Sequence, residues 1–474
     1  MRGFRERLYG CLTRRGDALF ELADAVLCAD RPVTDLAHLS LVPECGRGHG
    51  GLLDGLNAGR VEFARLRRAV AGLEMPAWPG GGIRLAVDVC GWLRPDAATS
   101  PQRLFCHVHG RGRNAGQMIA GWPYSFVALL GPGPSSWTAL LDAVRLGPGD
   151  DDCAVTAAQL REVAGRLIAA GHWSPGDPLI MIAGDAGYNP ARLAFLLADL
   201  PVIVVARVRC DRVWYRRAPA RAARTAGRPQ RHGPPVRCGD PATWDDPGVS
   251  EQAAAPRHGP LAVTAWPRVH QKISRASPGW EDWPGREFPL IEGTLIRLAP
   301  ARPGVQPMWL RASDPDAGLD PGAVAITWQA YLRRFDIEHT FRFLKQQLGW
   351  DKPMLRDPAA ADRWTWLIIA CHAQLRLAIP LVADVRLPWQ RPLPAGAMTP
   401  GRVRAGFRQA RQQAGTPASP PKPSRPGPGR PKGSKNTSKA PRHPAGKTTP
   451  KKASTARKKR KHAKRTPGTS ARTG

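Results

Sequence analysis

The sequence YLRRFDIEHTFRFLKQQLGW, residues 331–350, predicts one amphipathic helix that carries two different stripes. At about 100° per residue, four polar side chains fall within roughly 60° of one another on one face. These are Tyr331, Arg334, Glu338 and Lys345. An apolar stripe with the spacing of a buried helix face runs beside them. Its members are Ile337, Phe341, Leu344 and Leu348. An acid, two bases and a phenol are therefore expected along the border of a buried surface.

Arg334 and Glu338 also have a simpler interpretation. They are four residues apart, and a solvated ion pair on an amphipathic helix requires nothing more than that spacing. A functional role for Glu338 depends on other acidic residues that the fold brings to it.

The charge of the chain is strongly asymmetric. The 474 residues carry a formal net charge of +32. Of the 70 Lys and Arg residues, 22 follow residue 400, where there is no Asp or Glu, so the first 400 residues hold 48 basic and 38 acidic side chains. This balance predicts a polyanionic partner, most simply double-stranded DNA. A tail that only solubilises the protein would show the same composition.

Cysteine usage and hydropathy indicate an intracellular protein. The nine cysteines form no C-x2-C pair, which is typical of a reducing compartment. No uncharged run is long enough to span a membrane, so we expect no membrane partner and a cytoplasmic location. Cys106, His107 and His109 alternate on a short strand pattern, and ordinary strand residues explain them better than a metal site.

Residues 1–79 are predicted to form an N-terminal helical region. Its segment 60–73 is a basic helix. Short helices around a glycine-rich turn would suit DNA-end binding in helix-turn-helix fashion, and a plain helical cap fits the pattern equally well.

Residues 80–208 predict the first part of an α/β core with a mixed sheet. The apolar strand patterns at 83–89 and 179–184 run into Asp88 and Asp185. In such sheets, functional side chains gather at the carboxyl ends of strands. A strand-end Asp more often caps a turn, so the two carboxylates meet only if the first and fourth predicted strands are neighbours.

The rest of the chain divides into three segments. Residues 209–321 are rich in Pro, Gly and Arg and predict a β-rich insertion with basic loops. Residues 322–380 return to the core and carry the helix with Glu338. Residues 381–474 predict a basic, Pro- and Gly-rich disordered tail, since they have too few large apolar side chains to build a core.

The tail contains one short DNA-binding pattern. Arg430 is the centre of PGRPKGSK, residues 428–435, which resembles an AT-hook lying in the minor groove of A·T-rich DNA. Non-specific binding of phosphate by Arg430 and its basic neighbours is an equal alternative.

Asp88, Asp185 and Glu338 form the candidate catalytic set. Three converging carboxylates repel one another unless cations neutralise them. Oxygen ligands of this kind suit Mg²⁺ or Mn²⁺. Two such ions about 4 Å apart promote phosphodiester displacement. Arg334 and Lys345 would then hold phosphates.

These residues resemble a known enzyme family. Asp88 on the first strand, Asp185 after the fourth and Glu338 on a late helix are similar to the DDE transposases, whose catalytic domain is RNase H-like. One branch, found in bacterial insertion sequences, has the signature Y-x2-R-x3-E-x6-K, and this chain carries it complete from Tyr331 to Lys345. That branch also has a β-rich insertion between the second Asp and the Glu.

The resemblance implies an RNase H-like mixed sheet flanked by helices and a specific set of roles. Asp88, Asp185 and Glu338 would be the catalytic residues and the ligands of two Mg²⁺ (or Mn²⁺) ions. Tyr331, Arg334 and Lys345 would contact DNA at the transposon ends, and two protomers would pair those ends as a dimer. Some relatives stack a flipped base on a Trp of the insertion. Trp266, Trp280, Trp283 and Trp309 are the candidates here, and a structural role suits each of them better.

Three functions are compatible with these patterns. The leading hypothesis is a transposase that cuts element ends and joins them to target DNA. The second is an RNase H-like DNA endonuclease without strand transfer. The third is a non-catalytic DNA-binding protein on a decayed scaffold, against which the complete set of acids argues.

Overall fold

The computed structural model describes residues 1–108, 116–133, 135–219, 230–255, 259–393, 397–422, 431–434 and 438–446. The helices are α1 (Arg2–Gly10), α2 (Gly16–Cys28), α3 (Leu36–Leu39), α4 (His49–Ala58), α5 (Phe63–Ala71), α6 (Asp152–Ala169), α7 (Pro190–Leu196), α8 (Pro321–Arg333), α9 (Asp336–Gln346), α10 (Pro358–Ala378) and α11 (Pro400–Ala414). Within these ranges, no helix is long and apolar enough to cross a membrane.

The strands are concentrated between residues 84 and 312. They are β1 (Leu12–Arg14), β2 (Arg60–Val61), β3 (Arg84–Leu93), β4 (Leu104–Val108), β5 (Gln117–Leu130), β6 (Thr138–Arg145), β7 (Ile180–Gly184), β8 (Val202–Val208), β9 (Val213–Arg217), β10 (His232–Arg237), β11 (Val249–Ala255), β12 (Gly259–Val269), β13 (Gly293–Pro300) and β14 (Met308–Ala312).

One large mixed sheet organises the protein. Its strand order is β11-β12-β13-β14-β8-β7-β3-β5-β4, and β6 pairs with β5. The pairs β3–β7 and β7–β8 are parallel. Every residue of β7 is buried, because α6 covers one face of the sheet and α8 the other. The predicted mixed sheet flanked by helices is confirmed.

The sequence prediction omits β6, so Asp185 follows the fifth strand of this sheet and not the fourth. Asp142 interrupts the apolar pattern of β6. In the structure Asp142 is fully buried, and Arg67 and Arg166 neutralise it. Ion pairs with distant arginines therefore allow a charged residue to lie inside a buried strand, although the composition of this segment does not predict a strand.

The β-rich region 209–321 extends the core sheet. Strand β14 pairs antiparallel with β8, with Trp309 opposite Val208, and β11 to β13 continue outward from it. Among the described residues of this region, only β9 and β10 lie outside the large sheet, and they pair with each other. The insertion is thus built onto the sheet that carries the candidate site.

The segment 331–350 is two helices and not the single helix predicted from its periodicity. Helix α8 ends at Arg333, α9 begins at Asp336, and Arg334 and Phe335 lie in the break. The two helices serve different cores, since Tyr331 packs with α8 and the far half of the sheet, while the stripe of α9 packs with β5 and α10. The apolar stripe itself is buried as predicted: Ile337, Phe341, Leu344 and Leu348.

Residues 399–414 pack on the N-terminal helices, which corrects the prediction of a disordered tail over residues 381–474 for this segment. Helix α11 begins at Pro400, and Thr399 caps it. A Thr cap followed by Pro in the first turn favours a helix start. Its Val403, Phe407 and Ala410 are fully buried in the same cluster as α2, α9 and α10. Their spacing of four and three residues is the apolar stripe that the basic composition obscures.

The N-terminal region is likewise part of this core. Helix α2 is buried along nearly its whole length and contacts α10 and α11. On the basic helix α5, Arg67 pairs with Asp142, and Arg65 donates to the Gly10 carbonyl at 2.8 Å. These arginines stabilise the fold, as the helical-cap interpretation expects.

Candidate active site

Asp88 lies in the middle of β3 and not at its carboxyl end as predicted. The parallel partner β7 ends earlier, at Gly184, so the two strands part just before this residue. Ala86 pairs with Ala183, and continuing this register by two residues brings Asp185 level with Asp88. Side chains two residues apart on a strand share a face, so Asp88 lies on the face of Ala86, which packs in the same cluster as the apolar stripe of α9. Asp185 follows the end of β7, and its Oδ1 accepts the Gly187 N–H at 2.8 Å.

Asp88 is mostly buried, and its surroundings disfavour its charge. Burial, the largest cause, raises the pKa of Asp88 to about 6, against the opposing effect of Arg334. The negative charges of Asp185 and Glu338 raise this pKa further. The charges of one acid in the turn after β7 and one on α9 therefore reach Asp88 on β3.

Arg334 connects two of these acids directly. Its Nη1 donates to Asp88 Oδ2 at 2.8 Å, and its Nη2 donates to Glu338 Oε1 at 2.8 Å. The Arg334 side chain is 12% exposed, and Glu338 is 39% exposed. The pKa of Arg334 is raised, because the charges of Asp88 and Glu338 outweigh its burial. The ion pair suggested by the spacing of Arg334 and Glu338 exists, but Asp88 shares it.

The other residues of the signature lie around this bridge. Lys345 Nζ donates to the Gly91 carbonyl of β3 at 2.8 Å. The ring of Tyr331 is 5% exposed, with its centroid 5.9 Å from the Arg334 guanidinium carbon. Burial raises the pKa of Tyr331. Arg430, the fourth predicted DNA contact, lies outside the described residues.

Tyr188 is a site residue that the sequence reasoning missed. Burial raises the pKa of Tyr188, and the charges of Asp88 and Asp185 raise it further. A Cβ atom at position 184 would lie 3.0 Å from the Tyr188 ring, so Gly184 lets the ring lie against the end of β7. The turn signal Gly187 to Asn189, just after Asp185, marks this loop in the sequence.

The four tryptophans considered as base-stacking candidates are mainly structural. Trp266 and Trp309 are buried and stack with ring centroids 5.6 Å apart. Trp280 is buried and Trp283 half-buried, and both pack against Phe195 of α7. This aromatic cluster attaches the loop after β12 to the helix that follows Asp185.

The donor chemistry of the acids suits a hard cation, although the acids are not arranged as a metal cage. In the part of the chain that the structure describes, no three His, Cys, Asp or Glu side chains lie close enough together to hold a metal ion. The carboxylate oxygens of Asp88 and Glu338 bind a positive group, the guanidinium of Arg334. The same oxygens are the ligands that Mg²⁺ and Mn²⁺ prefer.

The family model described as DDE superfamily endonuclease matches residues 7–272, more than half of the chain. The match includes Asp88 and Asp185 and ends before Glu338. A search of the curated proteins finds no match.

Proposed function

Because the chain belongs to the DDE superfamily endonucleases, we propose that it is the transposase of a bacterial insertion sequence, which cuts the ends of its element and joins them to target DNA. The observation that carries the proposal is the Arg334 bridge. It brings Glu338, which lies beyond the family match, to Asp88, which lies within it. The signature spacing of Tyr331, Arg334, Glu338 and Lys345 supports the transposase branch in particular.

Asp88, Asp185 and Glu338 are the proposed catalytic residues and metal ligands. Endonucleases of this superfamily generally depend on divalent metal, and we expect two Mg²⁺ or Mn²⁺ ions. When bound, such ions supply activation of the attacking oxygen and neutralise charge on the leaving oxygen. The partly buried position of Asp88 excludes much of the water that would weaken these interactions.

The basic residues are proposed to bind DNA. Arg334 presents a planar fork that suits a phosphate, and Lys345 contributes a compact charge at the neighbouring backbone of β3. Tyr331 packs behind Arg334 and orients it. The basic sequence around Arg430 adds affinity for the duplex, and a dimer is proposed to hold two paired ends.

Protons should compete with metal for the Asp88 carboxylate at a higher pH than is usual for an aspartate. Because burial raises the pKa of Asp88 to about 6, its carboxyl takes a proton below that pH, and only the ionised form ligates a cation. We expect the affinity for Mn²⁺, measured by titration calorimetry, to fall by up to about tenfold per unit as the pH drops from about 6 to about 5. Acids with an ordinary pKa near 4 would leave the affinity flat over this range, and a flat profile would contradict the assignment.

The function is tested by incubating the protein with DNA that carries the ends of its own element, a supercoiled target and Mg²⁺. A transposase yields cleaved ends with free 3′-hydroxyls and products joined to the target. Cleavage without joining favours the alternative, an endonuclease, which the description of the matched family supports as it stands. Absence of cleavage with any divalent ion, with DNA binding retained, favours a non-catalytic DNA-binding protein.

A further inference from the structure

Arg334 holds the place that a cation would take between Asp88 and Glu338. It donates one hydrogen bond of 2.8 Å to each carboxylate, from two different terminal nitrogens. No triad of potential ligands in the described chain is already close enough to hold a metal ion. Both acids are therefore engaged by the same guanidinium that the signature assigns to DNA.

The bridge is costly to break without replacement. The side chain of Asp88 is 16% exposed and lies within the fields of Asp185 and Glu338. Removing the guanidinium would leave a partly buried carboxylate beside two like charges. Arg334 therefore leaves Asp88 readily only when another positive group arrives.

The position of Arg334 in the chain suits an exchange of partners. Arg334 lies at the break between α8 and α9, where the Arg334 N–H bonds to the Tyr331 carbonyl and the Ile337 N–H to the Arg334 carbonyl. These turn hydrogen bonds fix the backbone. Glu338 is 39% exposed, so the outer side of the bridge is open to solvent. A rotation about the side-chain bonds of Arg334 is enough to move its guanidinium outward.

We propose that Arg334 and the divalent cation compete for Asp88 and Glu338, so that metal binding releases Arg334 to a DNA phosphate. The inference rests on the proposed metal-dependent function and adds an order of events to it. Without metal, Arg334 neutralises the acids and is withheld from DNA. With metal, the guanidinium is displaced and can pair with a phosphate. Metal and DNA then strengthen each other's binding, and the coupling is reciprocal.

The test is Mn²⁺ binding to the full chain by titration calorimetry, which requires no catalysis. We expect Arg334→Gln to bind Mn²⁺ about tenfold more tightly than the wild type, because the competitor is gone. Arg342→Gln is the matched control. It removes the same charge from an exposed position one turn beyond Glu338, and among the described residues Arg342 forms no ion pair. Its Mn²⁺ affinity should change far less than that of Arg334→Gln.

A short DNA duplex provides the second measurement. Duplex should tighten Mn²⁺ binding in the wild type, since a phosphate offers Arg334 another partner, and this effect should disappear in Arg334→Gln. If that variant folds poorly, Mn²⁺ should raise its unfolding temperature by more than it raises that of the wild type. Unchanged or weaker Mn²⁺ binding by Arg334→Gln, with the wild type still binding, would overturn the exchange alone. Absence of Mn²⁺ binding in the wild type would overturn the proposed metal-dependent function as well.

Discussion

Replacement of Asp88 with Asn should reduce metal-dependent DNA cleavage by about 10³-fold or more while the protein stays folded. The change keeps the shape of the side chain, and an amide oxygen can still accept the Val89 N–H that now donates to Asp88 Oδ1 at 2.8 Å. Arg334 retains Glu338 as a partner. The lost negative charge is one of the two that Arg334 bridges, so cation binding and phosphodiester cleavage should both be weakened.

The measurement is nicking of supercoiled plasmid in Mn²⁺ and in Mg²⁺, with circular dichroism as the check on folding. Asp185→Asn and Glu338→Gln should show losses of the same order, because the three acids are proposed to act as one unit. Asp199→Asn is the matched control. Asp199 is 65% exposed and pairs only at the surface with Arg161, so its loss should leave cleavage unchanged. Full activity in Glu338→Gln would show that Glu338 is not a catalytic residue.

The largest effect on stability is expected at Asp24. Its carboxylate accepts from Arg5 Nη1 and Nη2 at 2.8 and 2.9 Å and from Arg411 Nε at 2.8 Å, and Arg5 also donates to Gln374 at 2.7 Å. Asp24 and Arg5 are each 1% exposed. The cluster therefore joins α1, α2, α10 and α11 through one buried charge.

Asp24→Asn should lower the free energy of unfolding by about 3–5 kcal/mol, because it leaves two arginines with no compensating charge in the core. Urea denaturation followed by tryptophan fluorescence measures the loss. The same substitution at exposed Asp199 should cost far less, because its ion pair with Arg161 is open to solvent. A loss at Asp24 no larger than that at Asp199 would argue against the packing of α11 on the N-terminal helices.

Local patterns in the sequence predict a large part of this architecture. The all-apolar strand β7, the Asp that follows it and the helical stripe of α9 are encoded by neighbouring residues, whose periods of two and about 3.6 show which face is buried. The spacing of Arg334 and Glu338 likewise predicts their contact, since residues four apart on a helix are neighbours.

Contacts between distant segments escape such patterns. The break at Arg334 arises because α8 and α9 pack against different parts of the sheet. The basic composition of α11 obscures a helix whose apolar face is buried only against α2 and α10. Strand β6 contains Asp142, which Arg67 and Arg166 neutralise. Each of these features depends on residues more than twenty positions away.

The candidate site divides in the same way. The sequence by itself determined which acids and bases are available, and that Arg334 can reach Glu338, because these are properties of composition and of helical spacing. Only the tertiary structure decided that Asp88 shares Arg334 and that β3 and β7, the strands before Asp88 and Asp185, are parallel neighbours. The physical reason is that the register of β3 against β7 and the packing of α9 on the sheet are set by long-range burial, which no local period encodes.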